Sequence, residues 1–177
     1  MKHLIYFLPL CFLLTACPYD ASVELNPYTE AMKVEKAYFG DWQAFDVSGE
    51  ATREELHISK GDKGVYHIQH DPYDEDNKKV EGYYYRGYAT DIAGTAILNV
   101  EKKDGTWNYY KYKMAGDDEF VLNWVESEFM KKNPPSAPIT TEGMRKFIEE
   151  NMKKEGFFGP DVHFYREGSA AFKKAKG

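Results

Sequence analysis

The amino-acid sequence predicts a mainly β fold. It is an antiparallel meander of seven or eight strands that closes or nearly closes into a barrel, with a C-terminal helix before the last strand. Three observations predict it. Apolar residues recur at a period of two through most of residues 42–125, the spacing of strands with one buried face. Turn residues interrupt that pattern at short intervals, as at Ser48-Gly49, Gly61-Asp62-Lys63-Gly64, Asp104-Gly105 and Gly116-Asp117-Asp118, and such turns join neighbouring antiparallel strands. The period then changes to a helical stripe of Met144, Phe147, Ile148 and Met152, one apolar face at i, i+3, i+4 and i+8.

The elements follow in order. Residues 18–27 are polar, carry Pro18 and Pro27, and read as a tether; ten extended residues reach about 30 Å. Residues 28–38 have helical spacing and read as a short helix. Strands are expected at 42–47, 54–59, 65–70, 80–90, 95–102, 106–114 and 119–125. Within the second, Leu56 and Ile58 share a face. Residues 127–132 read as a helical turn, and Asn133-Pro134-Pro135-Ser136-Ala137-Pro138 as a stiff connector. Thr140 or Thr141 caps a helix running to about residue 155, where Gly156 stops it. Residues 162–166 form a last short strand, and the small residues and lysines of 169–177 read as a disordered tail. Closure of such a meander removes the bare edges that invite aggregation.

Composition narrows the function classes. The chain has 177 residues and a net charge of −6, enough length for one domain with a sizeable core. Hydrophobic residues make up 42%, which argues against wholesale disorder. The acidic balance argues against nucleic acid as a partner, which would require a basic face. Beyond the N-terminus no apolar run reaches the roughly 18 residues of a membrane span.

The N-terminus carries an address. Met1-Lys2-His3 is a positive start, and residues 4–14 are an apolar run too short to anchor across about 30 Å of hydrocarbon but suited to a secretory signal. The run ends Leu14-Thr15-Ala16-Cys17. This resembles the lipobox of bacterial lipoproteins at all four positions. The resemblance implies that residues 1–16 are a signal peptide cut before Cys17, that Cys17 is acylated, for example with palmitate, and that the membrane is a partner through this anchor. Residues 17–35 are then the lipidated N-terminus and tether. An ordinary signal peptide with an incidental cysteine is the alternative. Pro18, not Asp, follows Cys17, which in enterobacteria-like sorting implies the outer membrane, facing the periplasm. With Cys11 lost in the signal and Cys17 acylated, no thiol is left for a disulfide or metal site.

A second resemblance enters at Gly40-Asp41-Trp42. This is similar to the Gly-x-Trp signature that opens the first strand of lipocalins. The resemblance implies that Trp42 seals one end of the barrel and that Arg166, in His163-Phe164-Tyr165-Arg166, lies across it as a structural partner. The C-terminal third, from Asn123-Trp124-Val125 through Phe157-Phe158 to Arg166, resembles small proteobacterial lipoproteins of unassigned function with a calycin-like barrel. The resemblance covers about residues 35–168 and implies a lipocalin-like barrel domain at 36–168. Placing a helix before the last strand departs from lipocalins.

The aromatic strands carry the candidate chemistry. Tyr66, Tyr83, Tyr85, Tyr110, Tyr112 and Trp124 are candidates to line a cavity for an apolar or amphipathic small molecule, their hydroxyls orienting it. The competing reading is a barrel packed solid by the same rings. Tyr84 and Tyr85 face opposite ways, so only half of the aromatics can serve. His67 and His70 likewise point to opposite faces, which argues against shared metal binding, although His57 and His67 could meet across a hairpin. Asp74, Glu75 and Asp76 fail the calcium-loop pattern, because Lys79 stands where that loop needs glycine. No metal and no cofactor are expected. Nucleophile-elbow, phosphate-loop and zinc-protease motifs are absent from the sequence, so no enzyme activity is expected. Lys173, Lys174 and Lys176 could touch lipid headgroups or simply be solvated. The leading expectation is an acylated envelope protein whose barrel binds an apolar or amphipathic molecule. The alternative is a non-enzymatic module that docks an unidentified envelope protein.

Overall fold

The computed structural model describes residues 18–45, 51–73, 78 and 81–176, with only the backbone described at 51–53. The signal segment, Cys17, the Ser48-Gly49 turn and the Asp74-Glu75-Asp76 loop lie outside the described residues.

Eight antiparallel strands form a closed barrel in chain order. They are β1 (Gly40–Phe45), β2 (Ala51–Lys60), β3 (Val65–Pro72), β4 (Tyr83–Ile92), β5 (Thr95–Glu101), β6 (Trp107–Gly116), β7 (Glu119–Trp124) and β8 (Val162–Arg166). Each strand pairs with the next, and β1 pairs with β8 to close the ring, with Trp42 opposite Arg166. This is the meander the turn spacing implied, and its eight strands fit the lipocalin-like fold. Helices α1 (Ser127–Lys132) and α2 (Thr141–Asn151) stand between β7 and β8, and α3 (Ala170–Ala175) follows β8.

The barrel has a closed end and an open end. Tight turns after β2, β4 and β6 gather at the closed end, where the chain enters β1 through a 3-10 turn, Lys36–Tyr38. Inside this half, Tyr38, Trp42, Ala44, Ala89, Phe120 and Phe164 are buried against one another. Gly87 on β4 is small for a reason of space. A Cβ on Gly87 would come within 2.9 Å of the Ile68 side chain.

A second apolar cluster lies outside the barrel. Met144 and Ile148 of α2, Met130 of α1, and Phe157 pack with Ile97 of β5 and Tyr109 of β6. Strand β5 is therefore buried on both faces, which explains its nearly continuous apolar run Ala96-Ile97-Leu98-Asn99-Val100. The Thr140 hydroxyl caps α2 by accepting from the Gly143 N–H at 3.1 Å.

Several expectations are corrected. Residues 18–27 are not a free tether: Ala21 and Leu25 are fully buried. Ala21 exchanges backbone hydrogen bonds with Trp107 at 2.8 and 2.9 Å, and the Leu25 N–H donates to the Asn99 side chain at 2.9 Å. The cause is an alternation of Tyr19, Ala21, Val23 and Leu25, which gives an extended segment one apolar face. The short helix expected at 28–38 is two 3-10 turns, Tyr28–Glu30 and Lys36–Tyr38. Helix α2 ends at Asn151 rather than near 155: the Met152 N–H still donates to the Ile148 carbonyl at 2.7 Å, but the Lys154 N–H then donates three residues back, to the Asn151 carbonyl, at 2.8 Å, and the chain turns. The tail read as disordered contains α3, capped by Ser169, with Phe172 set edge-on to Phe45 at 5.6 Å.

Candidate functional site

The closed end is built around Trp42 and Arg166. The Trp42 indole N–H donates to the Tyr38 carbonyl at 2.8 Å, and the ring meets Phe120 edge-on at 4.7 Å. The Arg166 guanidinium lies over the indole, 4.2 Å from its centre. Its Nη1 and Nη2 donate to the carbonyls of Phe39 and Ala37 at 2.6 and 2.7 Å. Its Nε donates to Asp118 at 2.8 Å. One planar fork thus ties the segment before β1 to the β6–β7 turn and covers the tryptophan. Gly40 makes room for it. A Cβ there would stand 2.9 Å from Nη1, and its φ of +126° disfavours any other residue.

Above this floor the barrel is not filled. A cavity of about 480 Å³ occupies its upper half and opens at the end opposite Arg166, a size within the range of small-molecule sites. Its walls include Leu56, Ile68, Leu98, Val100 and Leu122. Alternation places these side chains inward from four strands, β2, β3, β5 and β7. Tyr66, Tyr85, Tyr110, Tyr112 and Trp124 all line the same space. Tyr83 does not. It stands beyond the wall at the open end, 55% exposed, stacked on Tyr85 with ring centres 6.3 Å apart.

The phenols differ in what remains free. The Tyr66 hydroxyl accepts from the Glu35 N–H at 2.8 Å, and Tyr112 contacts Tyr66. The hydroxyls of Tyr85 and Tyr110 have no hydrogen-bond partner among the described residues. Burial raises the Tyr66, Tyr85, Tyr110 and Tyr112 phenols above their ordinary value, so they stand in the cavity as neutral donors.

Apart from the phenols, the polar side chains lining the cavity are Glu54, His70, Asn108 and Trp124, which stand at the mouth with Pro18. His70 Nε2 stands 3.5 Å from the Glu54 carboxylate. Polar contact with His70 and its charge hold the Glu54 carboxyl below its usual range. At that spacing the hydrogen bond is incomplete, and Nε2 has no better partner among the described residues. The Trp124 indole N–H donates to Glu126 at 3.0 Å. Gly159 lies flat against that ring, where a Cβ would come within 2.5 Å.

Other candidates separate. His67 is exposed on the outer wall and His70 lines the cavity. His57 pairs across the ladder with Gln69, and Ser59 with His67, so the two histidines are diagonal neighbours outside the barrel. His57 instead meets Asp41 at 2.5 Å. Among the described residues, no three or more His, Cys, Asp or Glu side chains gather to hold a metal.

Sequence reasoning missed the aliphatic walls and the polar mouth. Asn108 shares parity with Tyr110 and Tyr112, and Glu54 with Leu56 and Ile58. Extending each inward set by two residues finds both. Pro18 carried no such signal, because its place depends on where residues 19–25 dock. No family model, no curated protein and no solved structure matches the chain.

Proposed function

We propose that this chain is a non-enzymatic bacterial envelope lipoprotein, anchored through Cys17 to the outer membrane and facing the periplasm, whose barrel binds an amphipathic small molecule. The observation that carries the binding reading is the unfilled cavity of about 480 Å³ above the Trp42 floor. Its apolar walls suit a hydrocarbon tail. Tyr85 and Tyr110 offer neutral hydroxyls along the way, and Glu54 with His70 meets the polar end at the mouth. The lipobox Leu14-Thr15-Ala16-Cys17 supports the anchor.

Two measurements test this. The domain from residue 19 onward, purified without detergent, is titrated with the apolar fluorophore N-phenyl-1-naphthylamine and weighed intact by native mass spectrometry. The expected outcome is saturable binding at one site, lost in Leu122→Trp, which fills the cavity, with the melting temperature kept within a few degrees. Non-saturable binding, or an unaffected Leu122→Trp variant, overturns the binding reading. For the anchor, labelled palmitate is expected on the full chain and not on Cys17→Ser.

A further inference from the structure

The docked N-terminal segment determines where an anchor leaves the fold. From Leu25 the chain runs back over β5 and β6 towards the open end, held by Asn99 and then by Trp107. Tyr19 donates its N–H to the Val125 carbonyl at 2.9 Å, and the Ser127 hydroxyl donates to the Pro18 carbonyl at 3.0 Å. Pro18 itself lines the cavity mouth beside Asn108 and Trp124. The residue bonded to Pro18 is Cys17, and adjacent Cα atoms are about 3.8 Å apart. Acyl chains on that cysteine would start at the rim, with no free tether between anchor and barrel.

An independent observation marks the same end. Three large hydrophobic side chains are exposed among the described residues, and two of them, Tyr83 at 55% and Tyr84 at 76%, sit where β4 begins at the mouth. Tyrosine, with an apolar ring and a polar tip, suits the boundary between hydrocarbon and water.

We infer that the open end of the barrel is its membrane-facing surface, held against the lipid headgroups by the anchor one residue from the rim. The inference rests on the proposed acylation of Cys17. Its chemical partner is a phospholipid bilayer. An occupant that partitions into lipid then meets the cavity mouth without crossing open water, while Arg166 and the closed end point away.

The test uses the full acylated chain in phosphatidylethanolamine–phosphatidylglycerol vesicles carrying a nitroxide lipid. A fluorophore is placed on Lys103→Cys, in the exposed turn at the open end, or on Asp117→Cys, in the exposed turn at the closed end. Quenching several-fold stronger at position 103 than at 117 is expected, with a further loss of accessible Tyr84 fluorescence to an aqueous quencher. Equal quenching, or stronger quenching at 117, in protein that sediments with the vesicles overturns the orientation and leaves the anchor standing. Wild-type protein that carries no palmitate and stays off the vesicles overturns the acylation and the orientation together.

Discussion

Arg166 performs several tasks with one side chain. It stacks on Trp42, donates to two carbonyls of the segment before β1, and pairs with Asp118. Charge-assisted hydrogen bonds of this kind contribute about 1.5–3 kcal/mol each at best, and a cation–π contact about 0.5–2 kcal/mol. The group is partly exposed, so the sum is discounted. Arg166→Ala is expected to cost about 2–4 kcal/mol in urea unfolding, and Arg166→Lys to recover less than half, because an ammonium cannot fork. The Trp42 and Arg166 positions were legible through a two-residue motif. The two carbonyls and Asp118 were not, since nothing local marks an acceptor that a distant guanidinium reaches. Gly40 was legible as part of the motif, but its physical reason, the approach of Arg166 Nη1, emerges only in three dimensions.

Among the elements, the N-terminal segment departs furthest from its sequence reading. Pro18, Pro27 and four polar residues suggested a tether, while Tyr19, Ala21, Val23 and Leu25 alternate as a strand partner does. The alternation wins because the outer faces of β5 and β6, at Ile97 and Tyr109, need covering. Leu25→Ala is therefore expected to destabilise the chain by about 2–4 kcal/mol, the range for emptying a core leucine site. A change within about 0.5 kcal/mol, the level of a surface substitution, would restore the tether reading. Helix α2 was legible through its Met144, Phe147, Ile148 stripe and its Thr140 cap. Its end was not, because the chain turns at Asn151 through a backbone bond from Lys154, before it reaches Gly156. In α3, short length and lysines hid a Ser169 cap whose worth depends on Phe172 finding Phe45.

For the whole molecule, the buried phenols set a pH limit. Burial pushes Tyr38 up to about 12, with the Glu35 charge adding to it, and it also raises Tyr109, Tyr110 and Tyr112. The unfolded chain gives up these protons near pH 10 while the folded chain keeps them. Stability from this source is full below pH 10 and falls as pH rises from about 10 through 12. Urea midpoints at pH 8, 10 and 11 should decline in that order, with tyrosinate absorbance rising together with unfolding. A flat series would mean that the phenols titrate freely. The strand count and order were largely legible from the turns. Whether the barrel held a cavity was not, because the same tyrosines serve a solid core or a lined space. The aromatic floor interlocks, but Leu56, Val100 and Leu122 above it are too short to meet across the barrel. Full or nearly full closure was expected, and the pairing of β1 with β8, which sets Trp42 opposite Arg166 across the length of the chain, completes it. That late partnership governs how the polypeptide matures. Until the ribosome has delivered β8, β1 and β7 both carry raw hydrogen-bonding rims, so a fragment ending after α2 should self-associate and precipitate.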